Sequence, residues 1–117
     1  MKKDPAIFIK HILESIRNVE SFSLRLSKSE FETDKMRQSA IIREIEIVGE
    51  AAKNLPVEFT AKYPQIKWSA ITGTRDKLAH NYFGVDMNVV WDVVKYDLPE
   101  LKAKMEKILK ELEKEAK

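Results

Sequence analysis

The residues best suited to chemistry lie within positions 68–83, where an arginine, an acid, a histidine and a tyrosine fall close together. At about 100° per helical residue, Tyr82 lies about 20° from Arg75 and His80 about 40° from Asp76. The second pair places a carboxylate beneath an imidazole, which is a common way to fix a histidine's tautomer and orientation. Arg75 and His80 lie about 140° apart by the same geometry. They converge only if the arginine side chain curls or the helix loosens at its end.

A structural interpretation of the same residues stays open beside the catalytic one. Cationic side chains near the end of a helix complement its macrodipole, and tyrosine is common where an apolar surface meets water. Spacing alone favours this simpler interpretation and does not decide for catalysis.

The composition excludes several kinds of site. The chain has 117 residues, no cysteine and two histidines. It therefore cannot form a disulfide, a thiolate nucleophile or a thiolate zinc site, and a metal site built on imidazoles is not expected. The net charge is only +2, so nucleic-acid binding requires a local basic surface. Positions 62–80 provide a charge of +3, from Lys62, Lys67, Arg75 and Lys77 against Asp76.

Long helices must position these residues, because three glycines and four prolines leave few tight turns. Asp4-Pro5 is a favourable helix start. Two apolar stripes at helical spacing follow, separated by a polar connection over 27–34 and followed by a short helical turn between the prolines at 56 and 64. The stripes are Ile9, Ile12, Ile16, Val19 and Leu26, then Ile41, Ile45, Val48, Ala52 and Leu55.

The second half of the chain predicts a third helix over 67–83 and a fourth that begins after Asp86. Pro99, in a capping-box-like Asp-Leu-Pro-Glu, is expected to kink or divide the fourth helix. Its stripe then continues through Leu101, Met105, Ile108 and Leu112. We expect one all-α domain over 1–117, an antiparallel four- to five-helix bundle, with a solvated helical tail over about 106–117. No apolar run could span a bilayer and no signal peptide is recognisable, so we expect a cytoplasmic protein without membrane contact.

Three further aromatic or imidazole side chains receive mainly structural interpretations. His11 is expected to be a packed or surface histidine rather than a second catalytic group. Trp68 and Trp91 are expected to anchor the core, with base stacking as the alternative.

Two further sets of residues are interpreted in the same way. Glu46 and Glu50 suit a surface network with Arg43 better than a metal pair, because no further ligand follows. Gly49 and Gly73 suit close helix packing, including packing at a dimer seam.

Residues 75–82 form an Arg-x4-His-x-Tyr motif, and the chain resembles the HepT family of HEPN-domain proteins. The similarity covers most of positions 36–105, with Glu100 between the family's proline and leucine. It is carried by Ile42-Arg43, Glu46-Ile47-Val48-Gly49-Glu50-Ala51-Ala52, Tyr63-Pro64, Ile66, Trp68, Gly73, His80, Tyr82-Phe83, Val85-Asp86, Val90-Trp91 and Asp97-Leu98-Pro99-Leu101.

This resemblance implies a homodimeric, metal-independent endoribonuclease that needs no cofactor and is the toxin of a type VII toxin–antitoxin pair. Arg75 and His80 would be the catalytic residues at a dimer cleft. Tyr82 would be AMPylated by a minimal nucleotidyltransferase antitoxin of the MntA type. Asp76 stands where asparagine is more usual, and an acid there should raise the basicity of His80 and add negative charge near a phosphate.

Two rival functions remain at this point. One is a non-catalytic helical binding module that presents Tyr82 to a nucleotidyltransferase, which Asp76 and the near-neutral charge favour. The other is a structural dimer without RNA contact. The intact Arg75 and His80 favour the enzyme.

Overall fold

The computed structural model describes residues 4–73 and 85–115 of the chain. Every regular element in these ranges is helical, which confirms the expected all-α bundle. The helices are α1 (Pro5–Phe22), α2 (Lys28–Thr33), α3 (Lys35–Lys53), α4 (Val57–Thr60), α5 (helical residues 68–73), α6 (Met87–Asp92) and α7 (Leu98–Glu115), with a π-helical turn at Val93–Asp97 between α6 and α7.

Helix α1 forms the centre of the bundle and packs against both α3 and α7. It begins as the sequence predicts: Asp4 caps it by accepting a hydrogen bond from the Ala6 N–H at 3.0 Å, and Pro5 follows. Its apolar stripe is at most 1% exposed and comprises Ile9, Ile12, Leu13, Ile16 and Val19.

The helix ends earlier than its stripe suggests. The Ser23 hydroxyl and N–H both donate to the Val19 carbonyl, and the chain turns at Arg25, where φ is 61°. The inclusion of Leu26 in the first helix was therefore wrong. Leu26 reaches the core from the following loop, because a turn can return an apolar side chain to the same face.

The polar connection over 27–34 contains a helix that the spacing of the apolar residues does not predict. Ser27 and Glu30 form a reciprocal capping box, since the Glu30 N–H donates to the serine Oγ and the Ser27 N–H donates to the glutamate Oε1. The hydrogen bond from the Ser27 backbone lowers the pKa of Glu30. One apolar residue in α2, Phe31, is fully buried, and its ring lies 5.3 Å from that of Trp91.

Helix α3 carries the second predicted stripe. Asp34 caps it by accepting from the Arg37 N–H at 3.0 Å. The helix ends at Lys53, so Leu55 lies beyond it, although that side chain is buried as expected. Helix α4 confirms the short helical turn between the two prolines.

The fourth helix is interrupted just before Pro99, as the sequence predicts, but the interruption is a π-helical turn. Val93 and Leu98 both keep right-handed helical backbone angles, and the Leu98 N–H bonds to the Val93 carbonyl five residues earlier. Proline has no N–H to offer the Lys95 carbonyl four residues before it, so the chain widens into a π-helical turn instead of restarting at a new cap.

Helix α7 continues the predicted stripe, with Leu101, Met105 and Ile108 buried and Leu112 packed against the core. It extends to Glu115, and its last three residues are exposed. None of the described helices is long and apolar enough to cross a membrane.

Phe31→Ala should lower the free energy of unfolding by about 3 to 5 kcal/mol, because it removes a fully buried ring and leaves a cavity. Urea denaturation measures this loss. Met36→Ala is the matched control, since Met36 is 83% exposed and its truncation should change stability by no more than about 0.5 kcal/mol. Equal effects of the two substitutions would contradict the assigned packing.

Candidate functional site

The predicted catalytic motif lies outside the described residues. This holds for Arg75, Asp76, His80 and Tyr82, whose roles stay predictions. The structure does describe the two segments that lead into and out of the motif, and it shows how each is anchored.

The segment that leads into the motif is held by Trp68, at the start of α5. Its indole N–H donates to the Tyr63 carbonyl at 3.2 Å, and its ring packs partly buried against the core. Ile71 packs on the same core one turn later. The interpretation of Trp68 as a core anchor is therefore confirmed.

The segment that leads out of the motif is held by α6. Asp86 caps this helix by accepting from the Asn88 N–H at 2.8 Å, and Val90 is buried. Trp91 packs against the core beside Phe31, with the Lys95 ammonium 4.7 Å from the centre of its indole ring. Trp91 is thus also a core anchor, as predicted.

The other candidates from the sequence have mixed outcomes. His11 is exposed on the surface of α1. Glu46 is half-buried and Glu50 exposed on α3, and no three potential metal-ligating side chains group together among residues 4–73 and 85–115. A Cβ added at Gly73 would meet nothing within 4 Å, so close packing against the part of the chain that the structure describes does not explain that glycine.

A groove that the sequence did not predict lies beside the entry to the motif. Its first cavity, of about 310 Å³, lies between α3, residues 65–71 and the junction of the π-helical turn with α7. A second cavity of about 270 Å³ shares Gln65, Ile66 and Lys104 with the first and continues along α7. We call the two together the α3–α7 groove. Ile45 and Val48 form part of its apolar floor, and charged side chains stand at its rim.

The rim carries charges of both signs. Desolvation of the carboxyl by the neighbouring helix, followed by the nearby charges of Glu100 and Asp92, raises the pKa of Asp97, although the residue as a whole is exposed. The Lys104 ammonium donates to Glu100 at 2.9 Å, and this hydrogen bond lowers the pKa of the Glu100 carboxyl. Lys67 also faces Glu100 closely enough to lower that pKa further. Of the residues at this rim, the sequence analysis singled out only those of Asp97-Leu98-Pro99-Glu100. The groove itself could not be predicted locally, because it forms from three separate parts of the chain.

Known proteins resemble this chain over nearly its full length. A model of the family described as "Ribonuclease HepT-like" matches residues 12–108. A Methanocaldococcus jannaschii protein named "Gamma-glutamylcyclotransferase and putative RNase" is 48% identical over 97% of this chain, which spans 51% of that protein. A Thermococcus cleftensis protein named "Probable ribonuclease HepT" is 44% identical over 94% of this chain and 100% of its own length. A second M. jannaschii protein, named "Putative RNase", is 41% identical over 97% of this chain and 94% of its own. No solved structure matches.

Asp97→Asn should stabilise the fold at neutral pH. The pKa of Asp97 is raised above its usual value of 3.8, so the folded chain holds the proton more tightly than the unfolded chain does. The stability that this proton contributes is complete below the pKa of Asp97 in the unfolded chain. It is lost as the pH rises through the pKa of Asp97 in the folded chain. The urea midpoint of Asp97→Asn should thus exceed that of the wild type at about pH 7 and match it at about pH 3.

Glu106→Gln is the control for this measurement, because Glu106 is exposed on α7 and lines neither cavity. Its midpoint should follow the wild type at both pH values. A midpoint for Asp97→Asn below that of the wild type at neutral pH would contradict the assigned environment.

Proposed function

We propose, from the premise that the chain belongs to the HepT-like ribonuclease family, that it is a metal-independent endoribonuclease with Arg75 and His80 as its catalytic residues. One observation carries the proposal: the family match spans residues 12–108 and includes an intact Arg-x4-His-x-Tyr motif at 75–82. The names of its relatives support the same class of activity.

The chemistry of RNA cleavage explains why the motif should work as a dimer. Cleavage without a metal needs a base for the 2′-hydroxyl, an acid for the leaving 5′-oxygen and a cation for the charge on phosphorus. One histidine and one arginine supply only part of this set. A twofold homodimer with its motifs facing each other supplies two His80 and two Arg75 at one cleft, so the monomer should be inactive.

The described segments on either side of the motif support this role. Trp68 and Ile71 fix the approach to the motif on the core, and Asp86 and Val90 fix its exit. Catalytic groups need supports of this kind, because small displacements from the productive geometry reduce the rate sharply.

Regulation of the proposed enzyme would act through Tyr82. We propose that the protein is the toxin of a type VII toxin–antitoxin pair and that a minimal nucleotidyltransferase of the MntA type transfers AMP to this tyrosine. On a helix, Tyr82 would lie on the same side as Arg75. The phosphate of the attached AMP would then pair with the Arg75 guanidinium, and its nucleoside would block the path of the RNA.

A non-catalytic module that presents Tyr82 to the same partner is the second candidate. Asp76 favours it, because helical spacing predicts its carboxylate near His80, where it would oppose the approach of a phosphate. RNA cleavage by the purified chain decides between the two.

His80→Ala should lower the rate of RNA cleavage by at least about 100-fold in the presence of EDTA, because it removes the proposed proton-transfer group. A fluorescent RNA substrate measures the rate. His11→Ala is the matched control, since it removes the chain's other histidine from an exposed site on α1 and should leave the rate unchanged. Equal rates for wild type and His80→Ala would show that the catalytic assignment is wrong.

Tyr82→Phe should abolish AMP transfer, because it removes the phenolic oxygen that would attack the α-phosphorus of ATP and displace pyrophosphate. Intact-mass spectrometry after incubation with the nucleotidyltransferase and ATP measures the added AMP. Tyr96→Phe is the control, because Tyr96 is a 70% exposed tyrosine outside the motif and its loss should leave the mass gain intact. A mass gain in Tyr82→Phe equal to that of the wild type would refute the modification site.

A further inference from the structure

The sequence predicts a solvated tail over about 106–117, but the end of α7 contacts the segment that precedes the catalytic motif. The Tyr63 hydroxyl donates to the Glu111 carboxylate at 3.1 Å, although 48 positions of sequence separate the two residues. Ile108 is buried one turn before Glu111, and Leu112 packs against the core directly after it. The helix is therefore held on the core on both sides of this contact.

Helix α5, which leads into the motif, has little buried surface of its own. None of residues 68–73 is fully buried: Trp68, Ile71 and Thr72 are half-buried, and the other three are exposed. Arg75 follows Gly73 by only two positions. A short helix with so few buried contacts depends for its placement on the segment before it.

Tyr63 connects the end of α7 to the start of α5. Its ring lies 5.2 Å from that of Phe59, which is buried, and its hydroxyl bonds to Glu111. Its carbonyl accepts from the Ile66 N–H at 3.1 Å and from the Trp68 indole N–H at 3.2 Å. The side chain and the carbonyl belong to one residue, so a change at the hydroxyl reaches the group that holds Trp68.

The contact between Tyr63 and Glu111 is better suited to fixing geometry than to stabilising the fold. Side-chain hydrogen bonds that water can reach add little to the free energy of unfolding. Catalytic rates respond far more strongly, because a displacement of about 1 Å can reduce a rate about 100-fold. A modest contact beside a weakly anchored helix can therefore matter for catalysis.

We propose that Tyr63 and Glu111 are positioning residues of the ribonuclease. Their hydrogen bond links the end of α7 to the residue that holds Trp68, and it thereby sets the position of α5, which leads to Arg75. This proposal rests on the proposed ribonuclease function, which supplies the reaction. It gives the end of α7 a role in catalysis that requires no contact with RNA.

The first test compares kinetic constants for RNA cleavage. Tyr63→Phe and Glu111→Leu each remove the hydrogen bond and should lower kcat about tenfold, because they displace the approach to the motif. KM should stay within about twofold of the wild-type value, because neither residue contacts the substrate. Glu111→Gln keeps a carbonyl oxygen that can accept from Tyr63 and should retain the wild-type kcat.

The matched controls are Tyr96→Phe and Glu113→Leu. They change a 70% exposed tyrosine and an exposed glutamate of α7, and both should keep the wild-type kcat. Circular dichroism checks that every variant is folded in the assay. A kcat loss in Glu111→Gln as large as that in Glu111→Leu would assign the effect to the charge and overturn the proposal.

The double variant Y63F/E111L tests whether the two residues act through one bond. Its kcat should equal that of either single variant, because the second substitution finds the bond already lost. A loss of about 100-fold, the product of two independent tenfold losses, would overturn the proposal.

The second test observes Trp68 directly. The chain has two tryptophans, so a nitrogen–proton correlation spectrum contains two indole N–H resonances, and Trp68→Phe identifies the one from Trp68. This resonance should shift in Tyr63→Phe and in Glu111→Leu and keep its position in Glu111→Gln. The Trp91 resonance should keep its position in all three. An unshifted Trp68 resonance in Tyr63→Phe and Glu111→Leu would overturn the link between α7 and α5.

The two tests together separate this proposal from the proposed function. A wild type that cleaves no RNA, with a shifted Trp68 resonance in the variants, would refute the ribonuclease and support the link between α7 and α5. RNA cleavage with a wild-type kcat in both Tyr63→Phe and Glu111→Leu would leave the ribonuclease intact and overturn the positioning role.

Discussion

The burial of one side of α1 between α3 and α7 is the constraint on which the rest of the structure depends. Ile9, Ile12 and Ile16 are removed from water almost completely, and neither flanking helix could keep its own apolar stripe covered without them. Two polar contacts fix the alignment at the edges: Asn18 donates to Glu44 on α3 at 3.2 Å, and Lys102 on α7 donates to Glu20 at 3.0 Å. Polar pairs at the surface add little stability, and the Asn18–Glu44 pair is only partly buried, so we assign to these contacts the relative register of the helices rather than the strength of the fold.

Aromatic side chains extend this core toward the two ends of the catalytic motif. Tyr63 links three parts of the chain, because its carbonyl accepts from Trp68, its ring lies 5.2 Å from that of Phe59 and its hydroxyl donates to Glu111 on α7 at 3.1 Å. Burial, followed by this hydrogen bond, raises the pKa of the Tyr63 hydroxyl. On the other side of the motif, Trp91 packs on Phe31. The short helix α2, which the stripes did not predict, therefore helps to position the exit from the motif.

The π-helical turn connects the local chemistry of proline with the groove. A regular α-helix through Pro99 would leave the Lys95 carbonyl without its usual donor, and the chain forms a π-helical turn at this place while it stays helical. The same turn places Val93 and Asp97 on the wall of the groove. Turns of this kind occur often at functional sites.

The sequence by itself determined the all-α class, the cap at Asp4 and the stripes of α1, α3 and α7, because periodic burial and local capping depend on nearby residues. It also identified the family, from the order of its motif residues. It also identified Trp68 and Trp91 as core anchors. It overextended α1 to Leu26, missed the helix that buries Phe31, and predicted an interruption at Pro99 without its π-helical form. The end of α1, the position of α2 and the π-helical turn depend on how loops return to the core and on which carbonyl an N–H can reach. Only the tertiary structure decided the groove, since Val48, Lys67 and Leu101 come from segments that the sequence separates and the burial of α1 brings together.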